Sequence, residues 1–257
     1  MLRQIVWWDG EAMEPPPPKD YMLPEVGVAK LVGKSNGKSV ILAVTVGHTD
    51  GHHSHVDVGS FVYHIDGESL IPDAGRGKYS KNYFRQERYD NIFNNAYTHN
   101  IPRIGGSLQQ PGPEFGGCKQ FHGSIIDYGE DGECKFITLD FHTAYDIPNL
   151  TLARRHLQLN PVTGEAIIHD SFEFDGDPLP IEESFVTWHD VTLNTEGDVL
   201  LIKGEGSSIG VRADGAIFEV ETLEQASRDN ERAGVLKRIS TITHDTQFTL
   251  VVLPIKD

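Results

Sequence analysis

From residue 26 onward the chain is a succession of short apolar-rich segments bounded by polar turn sequences. KSVILAVTVG, SFVYHID, ESLIPD, KFITLDF, ARRHLQLN, EAIIHDSFEF, DVLLIKGE, IGVRAD, AIFEVET and TQFTLVVLPI are short and rich in β-branched residues, as strands are. Turn chemistry separates them: NGK, DGE, GEDGE, NPVTGE, NTEGD and ADGA. HLQLN-PVTG-EAIIHD reads as a hairpin, and RADGAIF carries the Asp-Gly signal of a tight turn. The best helical candidate, TLEQASRDNERAG (222–234), is polar nearly all round and reads equally as a surface excursion. No internal repeat is visible. Many short strands at regular spacing predict an all-β fold, a large multi-stranded antiparallel β-sandwich of stacked, supersandwich-like sheets.

Two stretches break the pattern. Residues 9–25, DGEAMEPPPPKDYMLPE, have no hydrophobic period and predict an extended polyproline lead-in. The expected organisation is therefore a lead-in over 1–25 and a β-sandwich domain over 26–257. The interval between Ile71 and Gln120 is too long for an ordinary connection and is rich in polar aromatics and glycine. Loops of this length in compact domains are functional or disordered, and the aromatic content favours function.

Composition narrows the function classes. No apolar run approaches the ~18–20 residues needed to span a bilayer. The N-terminus, MLRQIVWWDGEAMEPPPP, lacks the basic region and apolar core of a secretory leader. The two cysteines, Cys118 and Cys134, flank a turn asymmetrically and read as reduced core thiols. A formal net charge of −16 argues against nonspecific nucleic-acid binding. The charge is uneven, however. From Arg76 to Arg103 six basic residues (Arg76, Lys78, Lys81, Arg85, Arg88, Arg103) meet two acidic ones, and Tyr79, Tyr83, Tyr89 and Tyr97 share the window. It reads either as a solvated loop of mixed charge or as a local anion-binding surface with flat rings for sugar contact.

GHTDGHHSHVDVGSF, residues 47–61, holds His48, His52, His53 and His55, followed by Asp57. If residues 53–61 are extended, His53, His55 and Asp57 share one face. Zinc takes three protein ligands at an open site or four at a closed one, from His, Cys and Asp/Glu. Asp73 in PDAGRG and His99 in YTHN are candidates to complete such a set. The bland reading is a histidine-rich polar edge with Asp57 satisfying a turn. A cupin-like metal enzyme is a further alternative, since Gly47 and His53-Ser54-His55 fit the opening of the first cupin motif. Gly59 and Ser60 stand where that motif requires a glutamate, and no second cupin motif follows.

Taken together, HSHVDVGSFVYHIDGESLIPDAGRGKY, KNYFRQERYDN and THNIPRIGGSLQQ resemble the C-terminal β-sheet domain of the heparinase II/III-like polysaccharide lyases. The ordered set covers residues 53–110: a His-x-His-x-Asp segment with Ser-Phe, an Asp-Gly hairpin, an Asp-x-Gly turn, an aromatic-basic segment and a His-Asn pair. The later strands resemble the family only generically. The resemblance implies that His55, Asp73 and His99 bind Zn2+, structural or organising in role, and that His53 faces the substrate uronate. It also implies β-elimination on a uronic-acid glycan, in which a tyrosine protonates the leaving oxygen. Tyr79, Tyr83 and Tyr97 are the local candidates for that role, and Asp57, Arg76, Lys78, Lys81, Arg85 and Arg88 for contacts to an acidic polysaccharide or oligosaccharide. By the same resemblance the protein works in the periplasm, cell envelope or outside the cell. The family's N-terminal α/α-toroid, which supplies a catalytic tyrosine and asparagine, has no counterpart in these residues. The chain is therefore expected to be a piece of a longer lyase, the partner of a separate helical polypeptide, or a non-catalytic module that binds acidic glycan. Long sheet edges would also invite a homodimer.

Overall fold

The computed structural model describes residues 16–50, 54–81, 83–112 and 120–256. Its first sheet is built by successive antiparallel neighbours: β1 (Tyr21–Leu23), β2 (Val28–Ser35), β3 (Lys38–Thr45), β4 (Phe61–Ile65) and β5 (Glu68–Ile71). An eight-stranded antiparallel sheet contains β7 (Ser124–Asp131), β8 (Cys134–Asp140), β9 (Leu150–Leu159), β10 (Ala166–Phe174), β12 (Asp190–Leu193), β13 (Val199–Lys203), β14 (Ser208–Ala213) and β17 (Gln247–Ile255). Its order is β12-β13-β14-β17-β10-β9-β8-β7. The third sheet, β15-β16-β11-β6, comprises β6 (Arg103–Ile104), β11 (Ile181–Thr187), β15 (Glu219–Thr222) and β16 (Lys237–Thr243). One short helix, α1 (Glu224–Asp229), follows β15. The expected all-β stacked-sheet architecture is what forms.

Period-two burial explains the layers. β3 alternates buried Val40, Leu42 and Val44 with half-exposed neighbours, and β10 does the same with Ala166, Ile168, Asp170 and Phe172. These inner faces join one core shared by all three sheets, from Leu31 and Tyr63 through Leu157 and Val252 to Phe185 and Ile239. The first and third sheets meet at β5 and β11, where Thr187 Oγ1 donates to the Leu70 carbonyl at 2.8 Å.

Several expectations need correction. The lead-in is not wholly free of structure, because β1 lies within it and pairs with β2. Asp20 just before it accepts the Val32 amide at 2.7 Å and pairs with Lys135 at 2.8 Å. The expected β9–β10 hairpin is present, with Asn160 Oδ1 accepting the Val162 and Thr163 amides in its turn. The Asp-Gly turn at Asp214-Gly215, in contrast, moves the chain between sheets: β14 pairs with β13 and β17, and β15 with β16. Cys134 is half-buried at the β7–β8 turn and is not a core thiol; Cys118 lies outside the described residues. The strand expected over 53–61 begins only at Phe61, and residues 54–60 are an irregular turn segment. His55 and Asp57 are therefore loop residues, placed by tertiary contacts and not by strand alternation.

The core contains one charged node. Arg155 on β9 is fully buried, donating from Nε to Asp170 Oδ1 at 2.8 Å and from Nη2 to Oδ2 at 2.5 Å, with Glu183 Oε2 3.7 Å away. One guanidinium thus faces two buried carboxylates. Burial, then the neighbouring Asp170 charge, push Glu183 well above the usual carboxylate range despite Arg155. A raised folded pKa means that the native state binds the extra proton. Stability is then highest below the unfolded value, near 4.5, and falls as pH rises toward the folded one. Glu183→Gln is expected to flatten this dependence, so that its thermal midpoint gains on the wild type progressively from pH 5 to pH 9. A constant offset across that range would contradict a protonated Glu183.

Candidate functional site

Three loop segments converge between the first and third sheets. Residues 54–60 bring His55, residues 72–75 bring Asp73 after β5, and a short 3-10 turn at Ala96–Thr98 ends at His99. Each of these three offers one ligand atom, and the atoms lie within 4.8 Å of one another. His99 Nδ1 sits 2.6 Å from Asp73 Oδ2, while Asp73 Oδ1 accepts the Gly75 amide at 2.6 Å. The His55 and His99 rings are 5.2 Å apart. His99 is fully buried and its Nε2 has no hydrogen-bond partner among the described residues. A buried imidazole nitrogen left unsatisfied costs desolvation unless something binds it.

The electrostatics divide the cluster. Burial, and next the His99 charge, lower His55 to about 4, so its imidazole is neutral at physiological pH. Burial would raise Asp73, but the charge and hydrogen bond of His99 and the Gly75 amide outweigh it and hold Asp73 at about 2. Burial opposes a charge on His99 too, yet Asp73 overcomes it and raises the imidazole. Asp57 is shifted upward, chiefly by burial and then by Asp73 against the pull of His99, which places its carboxylate in the same field.

The cluster stands on a buried polar scaffold. Arg155 Nη1 donates to the Gly59 carbonyl at 2.8 Å and to the Asn100 carbonyl at 2.7 Å, fixing the ends of the His55 and His99 segments. The Asn100 side chain donates to the Phe61 and Pro72 carbonyls at 2.7 and 2.8 Å and accepts the Val186 amide at 2.8 Å. It therefore touches all the segments that carry the cluster. Gln109 pairs with both backbone groups of Val58, as a neighbouring strand would. Two small apolar clusters support the long interval: Val56, Tyr89, Ala96 and Ile101, and Ala74, Phe93, Val186, Leu223 and Leu236. Gly77 has room for no side chain, since a Cβ would come within 2.5 Å of Asn91 Nδ2.

The remaining residues singled out from the sequence are spread around this centre. His53 lies outside the described residues, as does His52. Arg88 is buried and donates to the Ser54 carbonyl at 3.0 Å and to Tyr89 Oη at 2.5 Å, so it fixes the His55 segment from inside. Lys81 and Arg85 are exposed. Lys78 pairs with Glu231 at 2.7 Å. Arg76 is exposed with its guanidinium 4.3 Å from the Tyr79 ring centroid, and Tyr79 stacks with Phe84 at 5.7 Å. Tyr83 is buried, 4.3 Å from Tyr79 between ring centroids. Tyr97 donates to Glu221 Oε2 at 2.7 Å. No hydrogen bond joins the three candidate hydroxyls to His55, Asp73 or His99 among the described residues.

Sequence reading missed Arg155, Asn100 and the 230–232 segment. A signal for Arg155 existed, because strand alternation puts it on the same face as Ala153, Leu157 and Leu159. Asn100 stood in the quoted THN. Residues 222–236 gave no such signal: they dock through Leu223, Ser227 and Leu236 and bring Asn230 and Arg232 beside Arg76.

The family model described as "Heparinase II/III-like, C-terminal" matches residues 15–248. Heparinase III, the BT4657 gene product, superposes with a TM-score of 0.72 at 14% identity, over 97% of this chain and 38% of that one. Heparan sulfate lyase HepC from Pedobacter heparinus gives 0.70 at 13% identity with the same coverages. This chain thus spans 38% of the length of these structures. YeaD from Salmonella typhimurium, a proposed mutarotase, gives 0.50 at 10% identity over 100% of this chain and 99% of that one. At these identities the likeness is one of fold, and the fold alone does not decide chemistry. No curated protein matches the sequence. Among the described residues no helix is long and apolar enough to cross a membrane.

Proposed function

This chain belongs to the heparinase II/III-like C-terminal family, and from that premise we propose that it is the β-sandwich component of a polysaccharide lyase. Its substrate is a uronic-acid glycan, cleaved by β-elimination. The observation that carries this reading is the His55–Asp73–His99 cluster with an orphaned imidazole nitrogen, set beside a basic cleft in an acidic protein.

His55, Asp73 and His99 hold a divalent cation, and two imidazoles with one carboxylate suit zinc. When bound, the metal supplies positive charge and a cross-link among three loops. Its role is organising, since Arg155 and Asn100 already bring these segments together. His53, two positions before His55 in sequence, neutralises the uronate carboxylate, which makes the C5 proton acidic enough to remove. A base takes that proton, the C5 electron pair forms the C4–C5 double bond, and the C4–O4 bond breaks with its electrons on O4. An acid then protonates O4. The local tyrosines have other commitments: Tyr97 to Glu221, Tyr83 to the interior and Tyr79 to Arg76 and Phe84. We therefore assign the acid to a helical domain that completes the enzyme. A polymeric substrate places the work in the periplasm or outside the cell.

The test is to incubate the chain, alone and with any helical polypeptide found encoded beside it, with heparan-, alginate- and polyglucuronate-type polymers. Ultraviolet absorbance of unsaturated uronate ends should rise with the complete pair and vanish in the His53→Ala variant, while metal content stays unchanged. Saturated ends would identify a hydrolase, and absence of any cleavage by the pair would leave a binding module.

A further inference from the structure

Residues 222–234 carry the short helix α1 and the turn that follows it. In the structure they form one wall of a cleft of about 240 Å³ lined by Arg76, Lys78, Tyr79, Asn230, Glu231 and Arg232. Asn230 closes the back of this wall, accepting the Lys78 amide at 2.8 Å and the Asn91 side-chain amide at 2.7 Å. Arg232 reaches inward, donating to the Arg76 carbonyl, with its guanidinium 5.3 Å from the Phe93 ring centroid and 6.0 Å from that of Trp188. Its Nη2 lies 3.4 Å from where a Cβ of Gly75 would be, two positions from Asp73.

The charges of this cleft are unbalanced. Lys78 is neutralised by Glu231. Neither Arg76 nor Arg232 has a carboxylate partner within salt-bridge distance among the described residues; they donate to the Gly77 and Arg76 carbonyls respectively. Two guanidinium groups are thus held close together, each repelling the other, in a chain that carries 38 acidic residues. Both are also pre-positioned. Tyr79 holds one over its ring, and Phe93 with Trp188 holds the other, so little side-chain entropy is left to lose on binding. A planar guanidinium fork matches the oxygens of a carboxylate or sulfate, and two forks on one cleft exceed what a neutral sugar needs.

We propose that Arg76 and Arg232 form an oxyanion pocket that binds a carboxylate or sulfate substituent of the glycan next to the His55–Asp73–His99 cluster. The pocket rests on the acidic-glycan reading above but not on cleavage. It makes Arg232, which comes from the C-terminal excursion, a substrate-binding residue alongside Arg76 from the basic window.

Titration calorimetry of the full chain tests this with three probes: an unsulfated uronate oligosaccharide, an N-sulfated heparan-type oligosaccharide and a neutral xylo-oligosaccharide. One or both acidic probes should bind, the tighter one naming the substituent, and the neutral one should bind at least tenfold more weakly. Arg232→Gln and Arg76→Gln should each weaken the acidic probe by roughly tenfold or more, with Arg232→Lys intermediate. Lys203→Gln, a charge change at an exposed position of β13 outside the cleft, should change affinity less than twofold. Arg76 is exposed, so its variant reads the pocket even where Arg232→Gln perturbs the Phe93–Trp188 packing. The pocket is overturned if both glutamine variants bind like the wild type, if the neutral probe binds equally well, or if no probe binds. Binding that depends on both arginines without unsaturated product would refute the lyase reading and keep the pocket. Cleavage that is indifferent to Arg232→Gln and Arg76→Gln would do the reverse.

Discussion

Arg155→Ala is expected to lower stability by about 3–5 kcal/mol, because it leaves the Asp170 charge buried without its partner. For a chain of this size that is a drop of roughly 6–20 °C in thermal midpoint, at about 2–4 °C per kcal/mol. The loss alone would show only that a buried ion pair was broken. A second variant separates core filling from positioning. Arg155→Met with Asp170→Leu and Glu183→Gln removes the whole charged node, and apolar replacements of similar volume are often neutral or stabilising. Stability should return close to wild type. The anchors on the Gly59 and Asn100 carbonyls would still be missing. Zinc affinity, measured by competition with a chromophoric chelator, should then remain roughly 10–100-fold weaker, the usual effect of losing support around a metal site. If the triple variant binds zinc as the wild type does, Arg155 serves the core and not the cluster.

The second large effect is expected at the proposed metal site. His99→Ala deletes the fully buried imidazole of the cluster and leaves Asp73 with the Gly75 amide as its remaining hydrogen-bond partner. Zinc affinity is expected to fall on the order of 100-fold or more, given that binding energies near 10–16 kcal/mol are shared among a few ligands. Chelation of the wild-type chain should mimic the variant, lowering the thermal midpoint and raising amide exchange in residues 54–60 and 72–75, while the central strands β9 and β10 stay protected. Stoichiometric zinc that survives His99→Ala unchanged would place the metal elsewhere. A wild-type chain that takes up no zinc would remove the organising role assigned to these three residues.

The architecture and the residue types of the site are legible in local sequence pattern. Strand alternation is a local property, set by the opposite orientation of successive side chains, so AIIHDSFEF shows its inner face without any partner in view, whereas KSVILAVT is apolar on both faces and packing alone turns Val40, Leu42 and Val44 inward. Two of the strands that escaped notice, β11 and β16, carry compensated polar residues on or near the core. β11 reads IEESFVT, yet Glu182 is paired with Arg103 and Arg238, and Glu183 is buried beside Arg155. No local pattern announces those partners, which come from β6, β16 and β9. His55, Asp73 and His99 were legible as chemistry because few residue types can bind a metal, but the strand invoked to present His55 does not form. That loops carry the cluster follows from the folded packing alone, because what fixes it is a set of long-range hydrogen bonds from Arg155 and Asn100 to backbone carbonyls that any residue would have offered. The same holds for Arg232. Nothing in its neighbourhood in sequence distinguishes it from a solvated arginine, and its place beside Arg76 exists only once α1 has packed Leu223 and Leu236 against Phe93 and Val186.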